Sequence, residues 1–142
     1  MKQRHLIFGV LAIAALAGAL AYLRDPPWLI HQDSGFRGWE SGPDGMRYRW
    51  TGGHASFFVP ADANAVTIPM RTTFASPADP PLTVTITIDD RSADRVTITD
   101  PAWRTIVLHM PPGARRRVRR IDLRLDRTRE GNKGVQVGEM RW

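Results

Sequence analysis

Residues Leu6 to Leu23, LIFGVLAIAALAGALAYL, carry no charged side chain, and no other stretch of the 142-residue chain is so restricted in what it can become. At about 1.5 Å per residue, a helix over this run reaches roughly 27 Å, close to the thickness of a bilayer's hydrocarbon core. A helix satisfies its backbone polar groups internally, whereas an isolated strand in lipid does not. The run therefore reads as one transmembrane helix over residues 6–23, a signal anchor. Lys2 and Arg4 lie in the short segment 1–5 before it, while Arg24 is followed at once by Asp25. The positive-inside rule then keeps the N-terminus cytoplasmic. The rest of the chain falls on the periplasmic or extracellular side of an inner (cytoplasmic) membrane. A cleaved leader is the competing reading, since Ala19-Leu20-Ala21 has the small-x-small form that signal peptidase accepts.

Beyond the run, residues 24–34 form a linker in which Pro26 and Pro27 favour an extended backbone. Residues 35–142 have the length of one domain with one core. The chain has no cysteine, so that core relies on packing without disulfides or thiolate metal sites. Setting aside Lys2 and Arg4, 18 basic residues face 14 acidic ones.

Short alternating segments punctuated by Gly, Pro and Asp dominate from Phe36 onward, with no helical period. Leu82, Val84, Ile86 and Ile88 alternate with Thr83, Thr85 and Thr87, which gives one apolar face and one hydroxyl face. Asp89 to Asp94 supply a polar turn, after which Val96 and Ile98 resume the alternation as a hairpin partner. Further strands are expected over 46–51, 55–59, 65–74, 103–110, 118–126 and 135–142. In the last of these, Val135 and Val137 share one parity and Met140 and Trp142 the other, and a bulge at Gly138 would bring all four to the core. The expected fold is an all-β sandwich of about eight strands, jelly-roll or immunoglobulin-like, behind one transmembrane helix.

Gly35-Phe36 with Glu40, then Arg49-Trp50-Thr51 and the stretch from Ala55 to Pro60, resemble the opening of small jelly-roll domains of bacterial membrane-anchored proteins, some of them fused to glycosyltransferases. The Trp103 strand ending in Met110-Pro111 and the closing Gly134-Val135-Gln136-Val137 fit the same pattern. The resemblance implies a sandwich shaped like a carbohydrate-binding module, with no defined ligand and no enzymatic activity.

The residues themselves signal no catalytic, cofactor or metal site. Ser34, Ser41, Ser56, Ser76 and Ser92 lack a nucleophile-elbow context. His31, His54 and His109 are too scattered for a zinc site. Asp89, Asp90 and Asp94 are explained by a turn as well as by calcium. Arg115, Arg116, Arg117, Arg119 and Arg120 are the candidate contacts to an anion or a partner, because guanidinium groups pair bidentately with phosphate and carboxylate. Without interleaved aromatics, this cluster argues against nucleic acid. Trp39, in a Gly-rich stretch, is the candidate for glycan contact, whereas parity assigns Trp50 and Trp142 to the core. Ala14, Ala15, Gly18 and Ala19 form small-xxx-small pairs on which another helix can pack. The sequence thus points to a noncatalytic, single-span accessory subunit. Its partners would be the bilayer and another integral membrane protein, with an envelope glycan or anionic lipid as a further contact. A carbohydrate-binding module at the cell envelope is the alternative.

Overall fold

The computed structural model describes residues 2–74, 76, 78–113 and 116–142, and the side chains from residue 7 onward. The apolar run forms α1 (Lys2–Arg24), which ends where Pro26 and Pro27 withdraw backbone donors. A 3-10 turn, η1 (Pro27–His31), follows and packs on the sandwich, with Leu29 and Ile30 half-buried. The chain enters the sheet at once as β1 (Asp33–Phe36), so Asp33 and Ser34 are already strand and not linker.

Eight more strands follow: β2 (Glu40–Ser41), β3 (Arg47–Pro60), β4 (Ala65–Arg71), β5 (Leu82–Ile88), β6 (Arg91–Ile98), β7 (Arg104–His109), β8 (Val118–Leu125) and β9 (Gln136–Val137). All pairings are antiparallel, in the order β6-β5-β8-β3-β9-β4-β7, with β1 and β2 also on β3. The fold is the expected all-β sandwich behind one apolar helix.

The two strands expected over 46–51 and 55–59 are one. β3 runs through Gly52-Gly53, pairing with β9 at Arg49 and Trp50 and with β8 from His54 to Pro60. The glycines leave room for the Asn132 side chain where β3 crosses between the sheets. A Cβ at residue 52 would lie 2.9 Å from Asn132 Nδ2, and Asn132 Oδ1 accepts from the Gly53 amide at 3.1 Å. The turn expected over 89–94 contracts to Asp89 and Asp90, both at positive φ, as a two-residue hairpin requires.

Alternation places the core where the pattern required it. Val66, Ile68 and Met70 of β4 meet Leu82, Val84, Ile86, Ile121 and Leu123 from the facing strands, all fully buried. The bulge near Gly138 also forms. Between the Met70–Val137 pair and the Thr67–Arg141 bridge, β4 advances three residues and the C-terminal segment four. Met140 thereby packs on the core, but Trp142 does not: it is 53% exposed. The Arg141 bridge is the last pairing, so strand alternation no longer directs Trp142 inward.

Candidate ligand groove

On the outer face of β4 the side chains before Arg71 are small. Ala65, Thr67 and Pro69 point away from the core, and Thr105 of β7 lies opposite Pro69. Larger side chains stand along this low floor: Met46 from the β2–β3 connection, Arg47 at the start of β3, and Glu139, Arg141 and Trp142 after β9. Together they line an open groove of about 760 Å³. Met46, Trp142 and Val107, which lies opposite Thr67, are three of the five large apolar side chains exposed outside the helix among the described residues. Their gathering on one face marks it, since single exposed apolar residues mean little but a cluster marks a recognition surface.

The groove is also polar and partly preorganised. Arg47 and Glu139 pair at 3.6 Å with both side chains 58% exposed, so their donors and acceptors remain available to a ligand. Thr67 Oγ1 donates to the Arg141 carbonyl at 3.2 Å, fixing that edge. The connection carrying Met46 is held by Asp44, whose Oδ1 accepts from the Met46 amide at 3.1 Å. Asp44 Oδ2 accepts from the Trp103 indole at 3.2 Å and from Arg71 at 3.4 Å. The Trp103 hydrogen bond, the Met46 amide and the Arg71 charge hold the Asp44 carboxyl below its ordinary range. Arg71 lies over the Trp103 and Tyr48 rings, and Trp50 is buried against Tyr48, so these aromatics form a self-satisfied wall beside the groove.

The residues singled out in the sequence fall elsewhere. Trp39 is 43% exposed, but the guanidinium groups of Arg47 and Arg49 lie over its ring at 5.2 and 5.1 Å, so a ligand would compete with them. The arginine cluster does not make one patch. Arg115 lies outside the described residues. Arg116 binds Asp25 at the helix end at 2.7 Å, and Arg117 is exposed. Arg119 is buried, giving Nη2 to the Pro111 carbonyl at 2.5 Å and Nη1 to Asp89 at 3.3 Å. Arg120 pairs with Asp90 and, at 2.9 Å, with Asp122. Asp89 and Asp90, weighed above as calcium ligands, therefore answer these two arginines. Because Arg119 Nε is buried with no described partner, we expect Arg119→Met to cost less than about 1 kcal/mol and Arg119→Ala about 2 kcal/mol in urea unfolding. Ala14, Ala15, Gly18 and Ala19 are exposed along α1, and nothing lies within 4 Å of a Cβ built on Gly18.

One polar centre lies on the opposite sheet. Asp122 of β8, 3% exposed at its side chain, accepts from Arg120 Nε at 2.9 Å and bonds His54 Nε2 at 2.9 Å. Burial pushes its carboxyl up, but the bonds from His54 and Arg120 outweigh this and hold it below 3.8. The neighbouring Ser56 hydroxyl bonds Ser34 at 2.8 Å, and among the described residues no hydroxyl bonds His54. The cluster therefore ties β3 to β8 without presenting a paired nucleophile.

Trp142 was the missed residue. The signal available was the bulge itself, which shifts parity only as far as pairing continues.

No family model matches the chain, and no match was found among curated proteins. Among solved structures it is similar to the salicylyl-acyltransferase SsfX3 from a tetracycline biosynthetic pathway, at 12% identity and a TM-score of 0.50, over 78% of this chain and 36% of that one. It also resembles a family two carbohydrate esterase from Cellvibrio japonicus, at 14% identity and a TM-score of 0.47, over 76% of this chain and 29% of the esterase. A family 35 carbohydrate-binding module from an environmental isolate matches at 15% identity and 0.47, over 75% of this chain and 85% of the module. The chain spans about a third of the acyltransferase and esterase. At these identities the likeness is one of fold alone.

Proposed function

We propose that this chain is a noncatalytic binding protein, tethered to a membrane by α1, whose groove over β4 takes a carbohydrate. The observation that carries the reading is Trp142, exposed beside Arg47, Glu139 and Arg141 over a floor of small side chains. Pyranose rings have apolar faces that an indole can cover and a rim of hydroxyls suited to charged donors and acceptors. The open form of the groove suits a segment of a longer glycan. Here, and not on the helix, recognition chemistry gathers, so glycan binding takes precedence over docking to a membrane complex. With Lys2 and Arg4 held in the cytoplasm, the groove faces the envelope side.

A glycan array probed with the full chain in nanodiscs should yield at least one envelope polysaccharide. Trp142→Ala should weaken its binding about tenfold, or about 1.4 kcal/mol, as loss of a central aromatic contact does. Trp39→Ala should change it by less than about twofold, its ring already lying under two arginines. An array without a hit, or a Trp142→Ala protein that binds as tightly as the parent, would sink the reading. Intact-mass measurement of the purified protein tests the tether separately, because cleavage after Ala21 would remove the span.

A further inference from the structure

The sandwich touches the end of its own helix through residues distant in sequence. Arg116, in the loop between β7 and β8, gives Nη2 to the Arg24 carbonyl at 2.5 Å and pairs with Asp25 at 2.7 Å. The first bond satisfies one of the carbonyls that a helix C-terminus leaves open. The second neutralises Asp25, whose side chain is only 13% exposed. Arg24 and Arg117 are left as two exposed cations lining a crevice of about 600 Å³. Its helical wall includes Gly18, Ala21 and Tyr22. Tyr22 and Trp28, 54% and 52% exposed, flank the helix exit.

We propose that this crevice holds the headgroup of an anionic phospholipid. The inference rests on α1 being a retained membrane span. Gly18 lies about 9 Å below Arg24 along the helix axis. The crevice thus runs from the acyl boundary through a headgroup layer about 5 to 8 Å thick. An occupant must meet apolar small residues at its lower end and, at its upper end, two guanidinium groups beside the Asp25 carboxylate, whose charge Arg116 already answers. A phospholipid does both, its phosphate lying between Arg24 and Arg117 and its first acyl carbons along Gly18 and Ala21. A soluble acidic peptide offers no apolar continuation into the bilayer. Exposed Tyr and Trp at the same level are the side chains that favour the interface, and each basic side chain near an anionic surface adds attraction.

The test uses the full chain in nanodiscs of mixed phosphatidylcholine and phosphatidylglycerol, followed by native mass spectrometry of the released protein. The wild type should retain phosphatidylglycerol over phosphatidylcholine by about tenfold. Arg117→Glu, at an exposed residue, should bring that ratio near parity without changing the melting temperature. Arg124→Glu makes the same charge change at the far, exposed end of β8 and should keep the preference. Parity in the wild type, or a preference unaltered by Arg117→Glu or equally lost in Arg124→Glu, would overturn the proposal. A chain that fails to enter nanodiscs whatever the lipid charge would overturn the span reading and the headgroup site with it, an outcome distinguishable because it does not depend on Arg117.

Discussion

Gly35→Ala is expected to destabilise the sandwich by about 3 kcal/mol and to lower its melting temperature by on the order of 10 °C. Gly35 sits in β1 at φ +72, between Ser34 and Phe36, where the register on β3 shifts. A Cβ there would meet the His54 carbonyl oxygen and lie 2.8 Å from Ala55 Cα, both backbone atoms that cannot turn aside. Two costs therefore combine: a left-handed conformation for a residue with a Cβ, and a clash with a strand held on both edges. Gly113 separates them. Its φ is +78 but nothing lies within 4 Å of an added Cβ, so Gly113→Ala should cost only about 1 kcal/mol. Equal losses for the two variants in urea unfolding would show that β1 yields where the structure has it fixed. β1 is the strand that receives the chain from the helix, and Arg49 holds it by pairing with Asp33 while lying 3.9 Å over the Phe36 ring. Loosening β1 should also make the connection to the membrane segment more susceptible to proteolysis.

Asp122→Ala should cost about 2 kcal/mol, because it leaves His54 and Arg120 facing a buried gap in the middle of the sheet. The figure is below that for a fully buried pair, since both partners are about half-exposed and water can reach them. The same site predicts an acid response. The Asp122 carboxyl is held below its ordinary 3.8, so the stability it contributes is fully present above that value and is lost as pH falls through the lower, folded-state value. Urea midpoints should therefore fall for the wild type as pH is lowered from about 5 towards 2, and less steeply for Asp122→Asn. Asp44 and Asp100 are held low as well, by bonds from Trp103 and Arg104, so the difference between the two proteins isolates Asp122. Identical slopes would mean that the carboxyl gains nothing from its partners on folding.

The elements were legible where a period is sustained. Leu82 to Ile88 and Ile121 to Leu125 alternate long enough that only a half-buried strand fits them, and both lie in the sheet with their apolar sides in the core. Where glycine interrupts, sequence reading failed in a particular way. Gly52-Gly53 looks like a turn between two strands, yet it is the middle of one strand that serves both sheets, where Asn132, 79 residues away, accepts from the Gly53 amide. The arginine cluster failed for a related reason. Neighbours along a strand point to opposite faces, so Arg119 turns inward and Arg120 outward, and charge density along the chain is not charge density on a surface.

By itself the sequence determined an apolar helix followed by one cysteine-free β-sandwich, because span length and two-residue alternation are local properties that survive any arrangement of the strands. Only the tertiary structure decided the rest. The Thr67–Arg141 bridge ends the last pairing and leaves Trp142 outside, beside Arg47 and Glu139, and Arg116 reaches the helix end across 91 residues. Such sites depend on which strands become neighbours. That choice is made by burial summed over the whole core and is written in no single segment of the chain.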